Sequence, residues 1–108
     1  MYRARIAVAA TLFAFPAWAT NPGMQMTGAS FSDACTRAHE SWVGFCNGYI
    51  QAAVDSLRAS DGICIPSGAT RTDLVTITEA TITASNQLKA LNAHDAVRLV
   101  LRRAFPCS

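Results

Sequence analysis

Hydrophobic residues recur along the chain with the period of an α-helix, and the pattern predicts four helices. The clearest stripe has apolar residues at i, i+3, i+4, i+7, i+11 and i+15, namely Trp42, Phe45, Cys46, Tyr49, Ala53 and Leu57. This stripe predicts a helix over residues 41–59 that is buried on more than one side and lies at the centre of the fold. Gly62 is expected to stop this helix as a left-handed cap.

A first helix and a last helix are predicted from their capping residues. Ser30 and Asp33 have the spacing of a capping box, which predicts a helix over residues 31–38. Asn92 is expected to cap the last helix, and Pro106 ends it because a residue before proline is disfavoured in the helical conformation. The apolar stripe of this helix consists of Val97, Val100, Leu101 and Ala104.

The third predicted helix has a threonine-rich composition. Thr70, followed by Asp73 three residues later, predicts a capped start and a body over residues 74–84. That body carries four threonines, and β-branched residues favour a strand as much as a helix. Residues 85–91 are predicted to be a polar connection to the last helix.

The N-terminal segment predicts a secretory signal peptide over residues 1–19. Two arginines lie in the first five residues, a mostly apolar run follows over 6–15, and Ala17-Trp18-Ala19 supplies an A-x-A cleavage site. The run is shorter than the roughly 20 apolar residues of a membrane span. Cleavage after Ala19 leaves a flexible lead-in over residues 20–29 and one helical domain over 30–108.

Removal of the signal peptide changes the net charge. The whole chain has nine basic and seven acidic residues, and Arg3 and Arg5 leave with the signal, so the exported chain has seven of each. Nucleic-acid binding depends on a basic face that neutralises phosphates, and the balance argues against it. No second long apolar run follows, so no membrane association is expected after cleavage.

Four cysteines remain in the exported chain, and an even number in a small exported protein predicts two disulfides. Zinc sites usually have two ligands within two to four residues of each other, and redox dithiols usually show Cys-x-x-Cys; the sequence has neither. The prediction is therefore an all-α fold, a small disulfide-bonded bundle of about four helices, with no metal and no cofactor.

The helix outline favours one of the three pairings of these cysteines. If the last three helices run up, down and up, Cys64 and Cys107 follow helix ends on the same side of the bundle, and Cys35 is left to pair with Cys46. On one straight helix these two residues would be roughly 16 Å apart, so the pairing requires a break near residues 39–41.

The remaining polar residues do not form a catalytic constellation in the sequence. Hydrolases need a nucleophile with a base, or paired carboxylates, and neither arrangement is visible. Exposed or capping positions are expected for His39, His94 and Asp55. A solvated helix face is expected for Arg98, Arg102 and Arg103. The chain is therefore not expected to be an enzyme.

Five fragments occur in a characteristic order: Cys35, Phe45-Cys46-Asn47-Gly48-Tyr49-Ile50, Asp55, Cys64-Ile65-Pro66 and Phe105-Pro106-Cys107. Together they resemble the Rap/Tai-type immunity proteins, the type VI secretion amidase immunity family. The resemblance covers about residues 32–107. It departs in the third helix, where family members often have a Leu-rich helix with a Tyr and a His-Pro turn, and this chain has threonines.

The resemblance implies a periplasmic immunity protein that binds and inhibits a peptidoglycan-cleaving amidase toxin. Characterised relatives place a loop in the toxin's cleft and form homodimers, which implies an exported amidase effector as partner and a homodimer here. The matched motif residues are implied to be structural: Phe45, Gly48, Tyr49, Asp55, Pro66, Phe105 and Pro106. Gly48 is expected to allow another helix to approach closely, and Tyr49 to lie in the core.

Loop position suggests the toxin-contacting residues, since binding residues favour loops on a rigid scaffold. The candidates are Ser85, Asn86, Gln87, Leu88 and Lys89, within segment 85–92, and residues 67–71 come second. Two alternatives remain open: an exported helical module of the same scaffold with no toxin partner, and an exported thiol enzyme.

Overall fold

The computed structural model describes residues 25–108 and confirms the all-α fold class. Five α-helices lie in this range: α1 (Gly28–Cys35), α2 (Glu40–Asp55), α3 (Arg71–Thr83), α4 (Asn86–Ala90) and α5 (Ala93–Ala104). A short 3₁₀ turn, Ala59–Asp61, lies between α2 and α3. The predicted signal peptide and residues 20–24 of the predicted lead-in lie outside the described residues.

The helix with the most buried residues is α5, and it packs against each of the other four helices, as α1 and α3 also do. Its buried residues are Ala93, Ala96, Val97, Val100 and Leu101. The expectation that residues 41–59 form the central helix is wrong, since α2 buries only Cys46, Ile50 and Ala53. Its apolar stripe is wide because aromatic side chains lie at the edge of the buried face, and they are only partly covered by the other helices.

The predicted second helix ends four residues early, at Asp55. The hydroxyl of Ser56 donates a hydrogen bond to the Ala53 carbonyl at 2.8 Å, and the chain turns away after this residue. Gly62 does have a left-handed conformation, with φ of 69°, but it follows the 3₁₀ turn and not α2.

The first helix begins three residues before the predicted start. Thr27 is its N-cap, and its side-chain oxygen accepts a hydrogen bond from the Ser30 N–H at 3.1 Å. Gly28 is buried, and its N–H donates to the Leu91 carbonyl at 2.8 Å. A Cβ at Gly28 would lie 2.1 Å from the carbonyl oxygen of Leu88, so the close approach of α1 to α4 requires glycine here.

The capping box predicted for the third helix is present. Thr70 and Asp73 exchange hydrogen bonds, each 3.1 Å long, between side chain and backbone N–H. The threonine-rich body is helical, and the hydroxyls of Thr76, Thr81 and Thr83 donate to the carbonyls four residues earlier. These bonds suit threonine rotamers in a helix, and the burial of Leu74 and Ile82 outweighs the strand preference.

Residues 85–91 form a helix and not the predicted polar connection. The hydroxyl of Ser85 accepts a hydrogen bond from the Leu88 N–H at 3.2 Å, which begins α4. Leu88 is 2% exposed and belongs to the hydrophobic core. Leu88 is the buried side chain that fixes this turn, because it packs into the space between α1, α3 and α5.

Two disulfides link the cysteines as Cys35–Cys46 and Cys64–Cys107, with Cα atoms 5.8 Å and 5.0 Å apart. The break between α1 and α2 that the first pair requires lies at residues 36–39, where Thr36 ends α1 and His39 caps α2. The second pair joins the segment after Gly62 to the C-terminus, which also pair through the bridge between Ile63 and Pro106.

Candidate partner-binding surfaces

The water-facing side of α2 consists of small residues and one aromatic ring. Ser41, Gly44, Phe45, Gly48 and Ala52 are all exposed and follow each other at i, i+3, i+4, i+7 and i+11, and we call them the α2 outer face. Apart from the adjoining backbone of α2 itself, no atom of residues 25–108 lies within 4 Å of a Cβ built on either glycine. The expected close approach of another helix of the chain to Gly48 is therefore wrong.

A ladder of aromatic rings runs along one edge of this face. The ring centroids of Trp42 and Phe45 are 6.1 Å apart, and those of Phe45 and Tyr49 are 6.0 Å apart. Tyr49 in turn packs against the buried Phe31 at 5.3 Å, which fixes the ladder to the core. The Arg37 guanidinium lies 4.8 Å above the Trp42 ring, a cation–π geometry.

Tyr49 is only partly buried, at the border between core and solvent, whereas the sequence predicted that it lies in the core. Burial, and secondly the negative charge of Asp95, raise the pKa of its phenol above the ordinary value. The hydroxyl is therefore neutral at physiological pH and acts as a hydrogen-bond donor and acceptor only.

The predicted contact residues around α4 fall into two groups. Leu88 is in the core, and Ser85 caps α4, so neither side chain is on the exposed surface of the turn. Asn86 and Gln87 are exposed at the start of α4, and Lys89, in the same helix, is half-buried. The structure thus leaves Asn86 and Gln87 as the accessible part of this segment, which we call the α4 corner.

The second predicted contact segment, residues 67–71, lies before α3. Ser67, Gly68 and Arg71 are exposed, whereas Thr70 is occupied in the α3 capping box. This segment precedes the N-terminus of α3, and the α4 corner follows that helix's C-terminus, so the two are at opposite ends of α3 and do not form one surface.

Asp61 is a structural residue that the sequence reasoning missed. Its carboxylate pairs with the Arg98 guanidinium and accepts a hydrogen bond from the Arg58 N–H at 2.6 Å, and its carbonyl accepts one from Arg102 Nε at 3.1 Å. Two of the three arginines expected on a solvated face, Arg98 and Arg102, therefore attach the 3₁₀ turn to α5, although Arg102, like Arg103, is exposed to solvent. The four-residue spacing of Arg98 and Arg102 was the available signal in the sequence, because it puts both arginines on the same side of the last helix.

The two histidines have capping or first-turn positions. His39 is the N-cap of α2, where Nδ1 accepts a hydrogen bond from the Ser41 N–H at 3.2 Å. His94 lies in the first turn of α5. Its backbone N–H donates a hydrogen bond to the side-chain oxygen of Asn92, the N-cap of that helix, at 2.9 Å. Within residues 25–108, no three histidine, cysteine or acidic side chains are grouped closely enough to hold a metal ion.

The other motif residues lie at the ends of the scaffold. Asp55 is exposed and accepts a hydrogen bond from the Gln51 side chain at 2.8 Å. Phe105 is half-buried against the core, and Pro66 is exposed beside the Cys64–Cys107 disulfide in sequence. All four cysteines are in disulfides, so none is a free thiol.

Comparison with known proteins identifies a family and no individual relative. A model of the Rap1a immunity proteins matches residues 27–107, a range that contains all five helices and both disulfides. No curated protein and no solved structure matches the chain. Over the described residues, no helix has the length and apolarity needed to cross a membrane.

Proposed function

Because the chain belongs to the Rap1a immunity protein family, a family with a toxin-immunity role, we propose that it neutralises a peptidoglycan-cleaving amidase toxin in the periplasm. The toxin in this proposal is an effector of a type VI secretion system. The family match over residues 27–107 carries the proposal, because it covers the whole described bundle and not one motif.

The covalent structure supports a role outside the cytoplasm. Two disulfides persist in oxidising compartments and are rare where thiols are kept reduced. The basic and apolar N-terminal residues 1–19 have the pattern of a secretory signal. Both features suit a protein that acts where the peptidoglycan lies.

Inhibition in this proposal comes from occlusion and not from chemistry. The α4 corner offers two neutral amides, and an amide side chain donates and accepts hydrogen bonds as a peptide substrate does. Ser85 and Leu88 hold the turn from inside, so Asn86 and Gln87 are presented on a rigid support. We propose that these two residues enter or border the toxin's active-site cleft.

The test is an inhibition titration. The protein is expressed as the full chain, purified from the periplasm of a bacterial host, and added to each exported amidase encoded beside its gene while peptidoglycan cleavage is followed. We expect loss of amidase activity at a stoichiometric amount of protein. An Asn86→Ala, Gln87→Ala variant should inhibit at least tenfold less well, a loss of about 1.4 kcal/mol of binding free energy.

A matched control separates this contact from general damage. Ser60→Ala changes an exposed residue of the 3₁₀ turn, outside both candidate contact segments, and should inhibit as the wild type does. Full inhibition by the α4-corner variant would assign the contact to another surface. Absence of binding to any adjacent amidase would contradict the proposed function and favour an exported scaffold without a toxin partner.

A further inference from the structure

The two disulfides differ in their exposure to solvent. Cys64 and Cys107 are both exposed residues, and they lie in the segments before α3 and after α5. Cys46 is 2% exposed on α2, and Cys35 is half-buried at the end of α1. A thiol reagent must reach a sulfur atom before it can exchange with a disulfide, so the two bridges offer different access to the same reagent.

The Cys35–Cys46 bridge lies where three helices meet. The helices α1, α2 and α3 all pack against one another, and the bridge joins the first two of them. A cavity of about 160 Å³ adjoins both cysteines, with Val43 of α2 and Val75 of α3 among its walls. Since a water molecule occupies roughly 30 Å³ in the liquid, this space holds about five waters and is too small for the loop of a protein reagent.

The Cys64–Cys107 bridge links two segments that are also paired through their backbones. The Cys64 N–H donates to the Phe105 carbonyl at 2.8 Å, and the Cys107 N–H donates to the Gly62 carbonyl at 3.3 Å. Ile63, next to both Gly62 and Cys64, is 8% exposed and belongs to the core. Backbone pairing and core packing therefore keep the two thiols near each other after reduction, so the bridge can form again.

Local charge also favours the attack of a thiolate on Cys64–Cys107. No acidic side chain occurs in residues 62–72 or 96–108, the two segments that carry these cysteines, whereas Arg71, Arg102 and Arg103 are exposed there. Positive charge attracts the attacking thiolate and lowers the pKa of the leaving thiol, and a thiol of lower pKa leaves faster. The other bridge has an aspartate and a glutamate close in sequence to its first cysteine.

We propose that Cys64–Cys107 is a thiol–disulfide exchange site for a protein dithiol of the Cys-x-x-Cys class, and that Cys35–Cys46 is a closed structural bridge. A thiolate of the dithiol first attacks one sulfur, forms a mixed disulfide and releases the other cysteine as a thiolate, which takes up a proton. The second thiolate of the dithiol then attacks the mixed disulfide and releases the remaining cysteine. The chain gains two electrons and two protons, and the dithiol becomes a disulfide.

Reduction at the exchange site changes how firmly residues 62–70 are held. This segment connects the 3₁₀ turn to α3, and the bridge is its covalent link to the end of α5. Without that link the unfolded chain has more freedom, so reduction should lower the melting temperature. The stability of the protein thus depends on the redox state of its compartment through one bridge and not through both.

The first test is a time course of reduction by dithiothreitol under native conditions. The full chain, purified from the periplasm, is quenched with iodoacetamide and digested with trypsin; arginines separate the four cysteines, so each lies on its own peptide for mass spectrometry. We expect the exchange site to be alkylated roughly tenfold faster than the structural bridge, or more. In concentrated guanidinium chloride, which unfolds the chain and screens its charges, the two bridges should be reduced at similar rates.

The second test uses a protein probe. Thioredoxin with its second active-site cysteine replaced by serine cannot complete the exchange, so it stays attached to its target as a mixed disulfide. We expect this probe to be trapped on Cys64 or Cys107 and on neither of the other two cysteines. A Cys64→Ser, Cys107→Ser variant, verified to be folded by circular dichroism, keeps the structural bridge and should trap no thioredoxin.

Several results would overturn the proposal. Resistance of both bridges to dithiothreitol, equal rates for both in the folded protein, or faster reduction of Cys35–Cys46 would each do so. A rate difference that persists in guanidinium chloride would also overturn it, because the fold would then not be its cause. Thioredoxin trapped on Cys35 or Cys46 has the same consequence. No toxin enters these experiments, so their outcome is independent of the proposed inhibition.

Discussion

Thr78 offers a direct test of how the core is held together. Its side chain is completely buried on α3, one turn from Leu74 and from Ile82, and its hydroxyl has no hydrogen-bond partner among residues 25–108. Replacement by valine keeps the branched shape and removes the unpaired hydroxyl. We therefore expect Thr78→Val to stabilise the protein.

The magnitude follows from the cost of an unpaired polar group. A buried donor or acceptor without a partner costs about 1–3 kcal/mol, and a methyl group in the same place packs against the apolar neighbours. We expect a gain of about 1–2 kcal/mol in the free energy of unfolding. For a domain of this length, that gain raises the melting temperature by about 5–10 °C.

The assay is thermal unfolding followed by circular dichroism at fixed protein concentration, with urea denaturation for the free energy. Thr76→Val is the control, because Thr76 is exposed and its hydroxyl donates to the Thr72 carbonyl at 2.9 Å. The control should change stability by less than about 0.5 kcal/mol. A Thr78→Val protein that is less stable than wild type would refute the reasoning, since it would show that the hydroxyl has a partner.

Three further changes test other parts of the scaffold. Gly28→Ala should destabilise the protein by about 2–3 kcal/mol in urea denaturation, because the added Cβ collides with the backbone of α4 at Leu88. Replacing Cys64 and Cys107 by alanine should cost about 4 kcal/mol in the same assay, since that bridge closes a loop with a separation of 43 residues. Asp73→Asn should lose most stability at neutral pH and progressively less as the pH falls below about 4, measured as the difference in melting temperature from wild type.

The sign of the Asp73 effect follows from its hydrogen bonds. The backbone N–H of Thr70, and secondly its hydroxyl, hold the pKa of this carboxyl below the ordinary value. The ionised carboxylate therefore contributes stability above the unfolded-state pKa, and that contribution is lost as the pH falls through the folded-state pKa. A difference in melting temperature that stays constant from pH 7 to pH 2 would contradict this account.

The other two changes have their own controls. Gly68→Ala adds a methyl group that meets no atom of the described bundle within 4 Å beyond its chain neighbours, so it should be tolerated. Removal of the Cys35–Cys46 bridge, with a separation of 11 residues, should cost about 3 kcal/mol and thus less than removal of the long-loop bridge. A reversed order of the two disulfide variants would argue against loop closure as the source of the stability.

Local signals made parts of the fold predictable. The Thr70–Asp73 capping box and the Asn92 cap depend on residues within one turn of each other, and the structure has both caps. The apolar stripe of α5 also predicts its burial, because every turn of that helix contributes to one face. Such features depend only on residues that are close together in the sequence, so they can be predicted from the sequence alone.

Long-range packing accounts for what the sequence did not reveal. Leu88 becomes a core residue, and Gly28 a necessary glycine, only because α1 and α4 come together across 60 residues of chain. The apolar stripe of α2 gave the wrong centre for the fold, since periodicity does not tell whether a partner covers Phe45. Among the five candidate contact residues at positions 85–89, only Asn86 and Gln87 have the exposure that their predicted role needs.

Protection of living cells tests the central claim most directly. An adjacent exported amidase is directed to the periplasm of a bacterial host, and survival is compared with the full chain, with a chain that lacks residues 1–19, and with neither. The proposed function predicts protection by the full chain and no protection by the shortened chain, because the two disulfides persist in an oxidising compartment and the proposed target lies in the periplasm. Cell death despite the full chain, or equal protection by the shortened chain, would contradict it.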